Sequence, residues 1–266
     1  MLRASPTDPR ATSGVVPVEV PTARRMHPWW AAVAFLTRIP VPGHGDRGNF
    51  GSAVALFPAV GLLLGLILLG AHTLAAAILP PLVVAALVVT LWAALTGALH
   101  LDGLADSADG TLAHATVEHR LEIMRDPRTG AFGVVALILV LGLKIAAVAS
   151  LTSGAVAPAV LLATMLGRWG IAAAAGAFPY ARPQGLGAGL HDAATPLAIA
   201  LASLLPLLLA LAFGLPALPL LLVGVAATFG TARWLSGKLN GLTGDCYGAI
   251  CEIVETAVLV AATAIR

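Results

Sequence analysis

Three aspartates stand at i, i+4 and i+7 in the stretch HLDGLADSADG: Asp102, Asp106 and Asp109. At about 100° per residue a helix carries all three within an arc of about 60°, on one face. The residues between them are Gly, Leu, Ala and Ser, with no lysine or arginine to pair the charges. Like charges gathered this closely stay ionised only around a cation. Carboxylate oxygens suit a hard ion, Mg²⁺ before Mn²⁺ or Ca²⁺. A fourth carboxylate, Asp245, stands at the mouth of the last apolar run. The plainer alternative, an interfacial helix with a polar face, does not account for the missing counter-charges.

Basic and glycine-rich segments supply the complementary chemistry. RLEIMRDPRTGAFG holds Arg120, Arg125 and Arg128, followed by Gly130 at the start of an apolar run. Arginine forks suit phosphate oxygens, and a helix N-terminus offers free amides to the same anion. Asp126, just before a proline, is either a salt-bridge partner for one of these arginines or a further metal ligand. YARPQGLGAGLHD places Arg182 before Gly185, Gly187 and Gly189, and GKLNGLTGDCYGA places Lys238, Gly241 and Gly244 before Asp245. Arg182 and Gly244 are the substrate contacts expected from these two loops. His100, His114 and His119 are spaced fourteen and five apart, which matches no zinc pattern. Cys246 and Cys251 make neither a disulfide framework nor a zinc spacing.

The elements that position these groups are membrane helices. The chain has 266 residues, 59% of them hydrophobic and 11% charged, and a mean hydropathy of +0.93; soluble domains carry about 25% charged residues. A net charge of +2 gives no footprint for nucleic acid. Apolar runs long enough to cross about 30 Å of hydrocarbon fall at 53–79, 82–99, 131–152, 156–178, 196–213, 216–235 and 247–265. HPWWAAVAFLTRIPVP, closed by prolines, suits an interfacial helix. Residues 1–28 lack a signal-peptide core and read as a disordered leader, leaving 29–266 as one polytopic domain.

The expectation is an all-α integral membrane protein of about seven crossings and an N-terminal interfacial helix. LPPL, TSGAVAP and GLPALP are short, uncharged connections, whereas Arg38, Arg47, Arg120, Arg125, Arg128, Arg182 and Lys238 lie in the other set. Helical hairpins would collect the polar loops on one face, cytoplasmic by the positive-inside rule. Lys144, Arg168, Glu252 and Glu255 lie inside apolar runs; they either serve a function there or neutralise one another in buried pairs.

Acidic cluster, arginines and glycine loops on one face are the parts of a metal-dependent phosphotransferase. No serine or cysteine nucleophile has a base nearby in sequence, so direct transfer is preferred. The arrangement is similar to that of CDP-alcohol phosphatidyltransferases, but DGLAD has Asp106 where that family has arginine. A polytopic transporter and a membrane anchor are the other classes.

A closer resemblance rests on five ordered motifs: FLTRIPVP, HLDGLADSADG, RLEIMRDPRTGAFG, ARPQGLG and GLTGDCYGA. Together they resemble the adenosylcobinamide-GDP ribazoletransferase family over residues 29–260. That resemblance implies transfer of the adenosylcobinamide-phosphate group from adenosylcobinamide-GDP to α-ribazole or its 5′-phosphate, releasing GMP, with Mg²⁺ as cofactor. It implies Asp102, Asp106, Asp109 and Asp245 as metal and diphosphate-positioning groups, with Arg125, Arg128 and Lys238 on phosphate. Asp106 is the expected proton acceptor, and Asp102, Asp106 and Asp109 form the expected catalytic set. The bilayer of the cell inner membrane is the expected surroundings, and homo-oligomerisation is left open.

Overall fold

The computed structural model describes residues 26–42, 51–182 and 186–264. Residues 1–25 of the expected leader, Arg47 and Gly185 lie outside the described residues. The described chain is helical: α1 (Pro28–Leu36), α2 (Phe57–Ala76), α3 (Pro81–Thr96), α4 (Leu99–Leu112), α5 (Val117–Ile123), α6 (Ala131–Ser150), α7 (Ser153–Ala177), α8 (Leu186–Ala193), α9 (Pro196–Phe213), α10 (Leu218–Leu239) and α11 (Gly244–Ala262). Among the described residues the one β-type pairing is an isolated bridge between Tyr180 and Leu242.

Prolines open α1, α2, α3, α9 and α10 at the first or second helical position, where the missing amide hydrogen is not needed. Five segments are long and apolar enough to cross a membrane: Gly51–Ala76, Ala131–Ser150, Ser153–Ala177, Pro196–Phe213 and Leu215–Leu239. The count reaches six if the bent pair α3–α4 is one span, against the seven expected.

The difference has two local causes. The expected crossing at 82–99 stops at Thr96, where Gly97 and Ala98 take left-handed backbone conformations and turn the chain by 89° into α4. The expected crossing at 247–265 is α11, whose 19 residues include Asp245, Glu252 and Glu255 and whose faces are almost entirely buried by protein. The nine-residue α1 is too short to cross.

Helix α7 is the axis of the bundle, buried along nearly its whole length and packed most extensively on α2 and α11. Gly61 and Gly65, one turn apart on α2, make this possible: a β-carbon on Gly61 would lie 2.5 Å from the Thr164 carbonyl oxygen. Leucines such as Leu204, Leu208 and Leu211 on α9 and Ile138 and Leu139 on α6 face outward, as lipid-facing surfaces do. With no hydrophobic drive between helices in lipid, such close backbone packing and polar ties hold the bundle.

Ionic ties run through its centre. Lys144 donates to Glu252 at 2.6 Å and also to Glu255, and Arg168 donates to Glu255. All four side chains are buried, and the Lys144 ammonium sits 4.6 Å from the centre of the Trp92 ring. Of the two readings offered by the sequence, mutual neutralisation is the one found.

Candidate active site

Helix α4 turns away from α3 by 89° and packs along α6 and α11, and its contacts assemble the site. Its Gly103 rests on the first turn of α11: a β-carbon there would stand 2.6 Å from the Asp245 carbonyl oxygen. One turn on, Gly248 of α11 faces the His100 backbone, and a β-carbon at that position would be 3.1 Å from the His100 carbonyl oxygen. Two helices that meet through glycines bring their flanking carboxylates, Asp102 and Asp245, to one place.

The glycine loops meet there too. Ala181 donates to the Leu242 carbonyl and Leu242 to the Pro179 carbonyl, both at 2.8 Å, which clips the segment after α7 to the segment before α11. This clip carries Arg182 to Asp245, with a nitrogen–oxygen distance of 3.1 Å. Thr243 caps α11 by accepting from the Cys246 amide at 3.3 Å, so the helix starts with its free amides beside Asp245. The segment between α1 and α2 is anchored nearby, with the Arg38 amide donating to the Leu95 carbonyl at 2.8 Å.

A cavity of about 290 Å³ opens between these elements. Its polar wall is Asp102, Asp245, Arg182 and His100; its apolar and aromatic wall includes Phe35, Leu99, Ile171, Tyr180 and Tyr247. Gly103, Gly187, Gly244 and Gly248 complete the lining. The Tyr247 hydroxyl and His100 Nδ1 are buried without a hydrogen-bond partner.

The four carboxylates expected to share one ion are placed differently. Asp102 and Asp245 line the cavity. Asp106, one turn beyond Asp102, is half-buried. Burial, then the charges of Asp102, Asp245 and Asp109, push its carboxyl up to about 7, against an opposing pull from Arg182. Asp109 is buried, and both its oxygens are taken: the Gly130 amide donates at 2.7 Å and the Gly133 amide at 2.8 Å. It caps α6 and ties α4 to it. The anion at the N-terminus of α6 is thus a side chain of the protein, where the sequence pointed to substrate phosphate.

Among the described residues no three His, Cys, Asp or Glu side chains converge as a ready-made metal cage. The donor set nevertheless suits Mg²⁺, an ion held by one or two carboxylates together with substrate phosphates. Asp102 and Asp245 are two hard donors on one cavity wall, and Asp106 is close enough to feel both charges.

The basic residues separate. Arg182 belongs to the cavity. Arg128 pairs with Asp126 at 2.6 Å in the loop before α6, which draws the Asp126 carboxyl down to about 2. Arg125 and Lys238 are exposed and not part of the cavity wall. Arg120 is structural: it donates to the Thr111 and Ala115 carbonyls at 2.8 and 2.9 Å, satisfying the end of α4. His119 pairs with Glu122 at 3.1 Å on the surface, away from His100. Tyr180 and Tyr247 are site residues that the sequence reading does not single out; their positions two residues from Arg182 and Asp245 are the available signal.

Comparison with known proteins follows the same span. A family model described as cobalamin-5-phosphate synthase matches residues 28–263. A Pseudomonas syringae pv. syringae (strain B728a) protein named adenosylcobinamide-GDP ribazoletransferase is 40% identical over 247 residues, covering 88% of this chain and 98% of its own. Proteins of the same name from Stutzerimonas stutzeri (strain A1501) and Roseiflexus sp. (strain RS-1) are 44% and 38% identical, covering 88% of this chain and 97% and 91% of theirs. No solved structure matches.

Proposed function

The chain belongs to the cobalamin-5-phosphate synthase family, and from that premise we propose that it transfers the adenosylcobinamide-phosphate group of adenosylcobinamide-GDP to α-ribazole, or its 5′-phosphate, with release of GMP. The observation that carries this reading is the meeting of Asp102 and Asp245 on one cavity wall with Arg182 across a two-helix crossing.

In this reaction a ribazole hydroxyl attacks the phosphorus bonded to the cobinamide side, a new phosphorus–oxygen bond forms, and the bond to the GMP oxygen breaks. The hydroxyl proton needs an acceptor, and the leaving phosphate needs its charge compensated. Asp106 is the acceptor in this account, because it follows Asp102 by one helical turn and lies close enough to Asp102 and Asp245 to feel both charges. Arg182 presents a fork to phosphate oxygens, and Asp245 fixes its orientation. Asp102 and Asp245 would hold Mg²⁺, which when bound supplies charge neutralisation at the diphosphate. Asp109 sets the position of α4 through the α6 amides. Arg125 and Lys238, exposed outside the cavity, stay available to the larger donor. The site faces the cytoplasm in this reading, with the protein in the cell inner membrane.

Lys144, Arg168, Glu252 and Glu255, the residues a transport pathway would use, are instead ion-paired with one another, which favours the enzyme over a transporter. The test is the product pair. Purified protein given adenosylcobinamide-GDP and α-ribazole should yield GMP and adenosylcobalamin in equal amounts; flux of either substrate across reconstituted vesicles without GMP would overturn the reading.

A further inference from the structure

The cavity beside the carboxylates has features that phosphate handling leaves unused. Two polar atoms, the Tyr247 hydroxyl and His100 Nδ1, are buried there without partners, although both residues are only 3% exposed and line the cavity. Buried polar groups are normally paired, and an unpaired one opposes folding until something satisfies it. Their position, one from each helix at the Gly248–His100 contact, makes them part of one wall.

Three properties of the cavity describe what would satisfy them. Its volume of about 290 Å³ accommodates one ring system with a sugar and excludes a tetrapyrrole-sized macrocycle. Its polar wall, Asp102, Asp245 and Arg182, is taken by cation and phosphate in the reading above, so the part of a ligand left for the rest of the cavity is uncharged. Its aromatic side chains Tyr180 and Tyr247 flank the space a flat ring would take, beside Phe35, which stacks on Phe57.

Resting on the transferase reading above, we propose that this cavity seats the base and sugar of the acceptor nucleoside, and that Tyr247 and His100 are the residues that read it. The Tyr247 hydroxyl donates to a ring nitrogen or sugar oxygen, and His100 satisfies a sugar hydroxyl. The donor's guanosine shares the flat-nucleoside chemistry, but its base edge presents more hydrogen-bonding groups than the two unpartnered atoms that remain once Arg182 is given to phosphate.

The experiment is equilibrium binding of α-ribazole, and separately of GMP, to purified full-length protein in detergent without the other substrate. Tyr247→Phe keeps the ring and removes one oxygen. It should weaken α-ribazole binding about tenfold, the scale of one lost hydrogen bond, and change GMP binding less than twofold. His100→Ala should weaken α-ribazole similarly, and His100→Gln should recover part of the loss. A Tyr247→Phe effect on GMP and not on α-ribazole would assign the cavity to the donor's guanosine and overturn the proposal. Unchanged α-ribazole affinity in both variants, or no binding by the wild type, would also overturn it. Turnover plays no part in this assay, so its failure leaves GMP release standing as the separate test of the transferase reading.

Discussion

Gly103 on α4 and Asp245 on α11 lie in backbone contact: a β-carbon on the glycine would be 2.6 Å from the Asp245 carbonyl oxygen and 3.1 Å from its Cα. The contact sets the distance between the cavity carboxylates Asp102 and Asp245. The atoms in the way are backbone, so Gly103→Ala must move a helix. We expect GMP release to fall by about a hundredfold, the scale on which small misplacements of catalytic groups act. The variant should still extract and elute as the wild type does. Full activity would mean the crossing does not set the site.

Asp109 holds the start of α6 with two hydrogen bonds, 2.7 and 2.8 Å long. Asp109→Ala leaves both amides unpaired in a buried place and should cost about 1–3 kcal/mol in denaturant unfolding. Asp109→Asn keeps one acceptor and should cost less. Equal losses for the two variants would contradict the capping role.

Asp106 gives the account its pH dependence. With its carboxyl pushed up to about 7, the proton-accepting form disappears as pH falls, so kcat/KM should drop below an apparent pKa at or under 7; a cation nearby lowers it further. The same shift acts on stability with the opposite sense. A raised carboxyl binds more protons folded than unfolded, so the metal-free protein loses stability as pH rises from 3.8, the ordinary value, towards about 7. Asp106→Asn should flatten both profiles, and a variant whose residual rate keeps the wild type's fall at acid pH would remove Asp106 as the base.

The buried ions should be costly to break singly. Glu255→Gln leaves Lys144 and Arg168 short of one charge in a fully buried place, and losing one partner of such a group costs about 3–5 kcal/mol. Lys144→Met with Glu252→Gln removes one charge of each sign and should cost less than the sum of the singles. Thermal unfolding of the double variant, its two singles and Glu255→Gln in a fixed detergent measures these costs.

The legible part of this protein is the part written in composition and period. Long apolar runs mark the crossing helices to within a few residues, and the i, i+4, i+7 aspartates do share a helix, Leu99–Leu112. The buried pairing of Lys144 and Arg168 with Glu252 and Glu255 is one of two open readings in the sequence, because distance between runs is not written there. What stays hidden is partners across helices. Asp109 reads as one more ligand until the Gly130 and Gly133 amides are seen on it. Arg128 reads as a phosphate clamp until Asp126 is found beside it. The turn at Gly97–Ala98 is concealed because apolar residues continue through it into Leu99. Tyr247 looks like one aromatic in a greasy helix; only the α4–α11 crossing puts it in a cavity wall.

The central claim is that Asp102 and Asp245 work as one cation-dependent site for phosphorus transfer. The direct measurement is initial GMP release by purified protein given adenosylcobinamide-GDP and α-ribazole, with Mg²⁺ and after exhaustive chelation, for the wild type, Asp102→Asn and Asp245→Asn. The account predicts release that disappears on chelation and returns with added Mg²⁺, and a loss of at least about a hundredfold in either variant. Undiminished release in chelator, or in both variants, would contradict it.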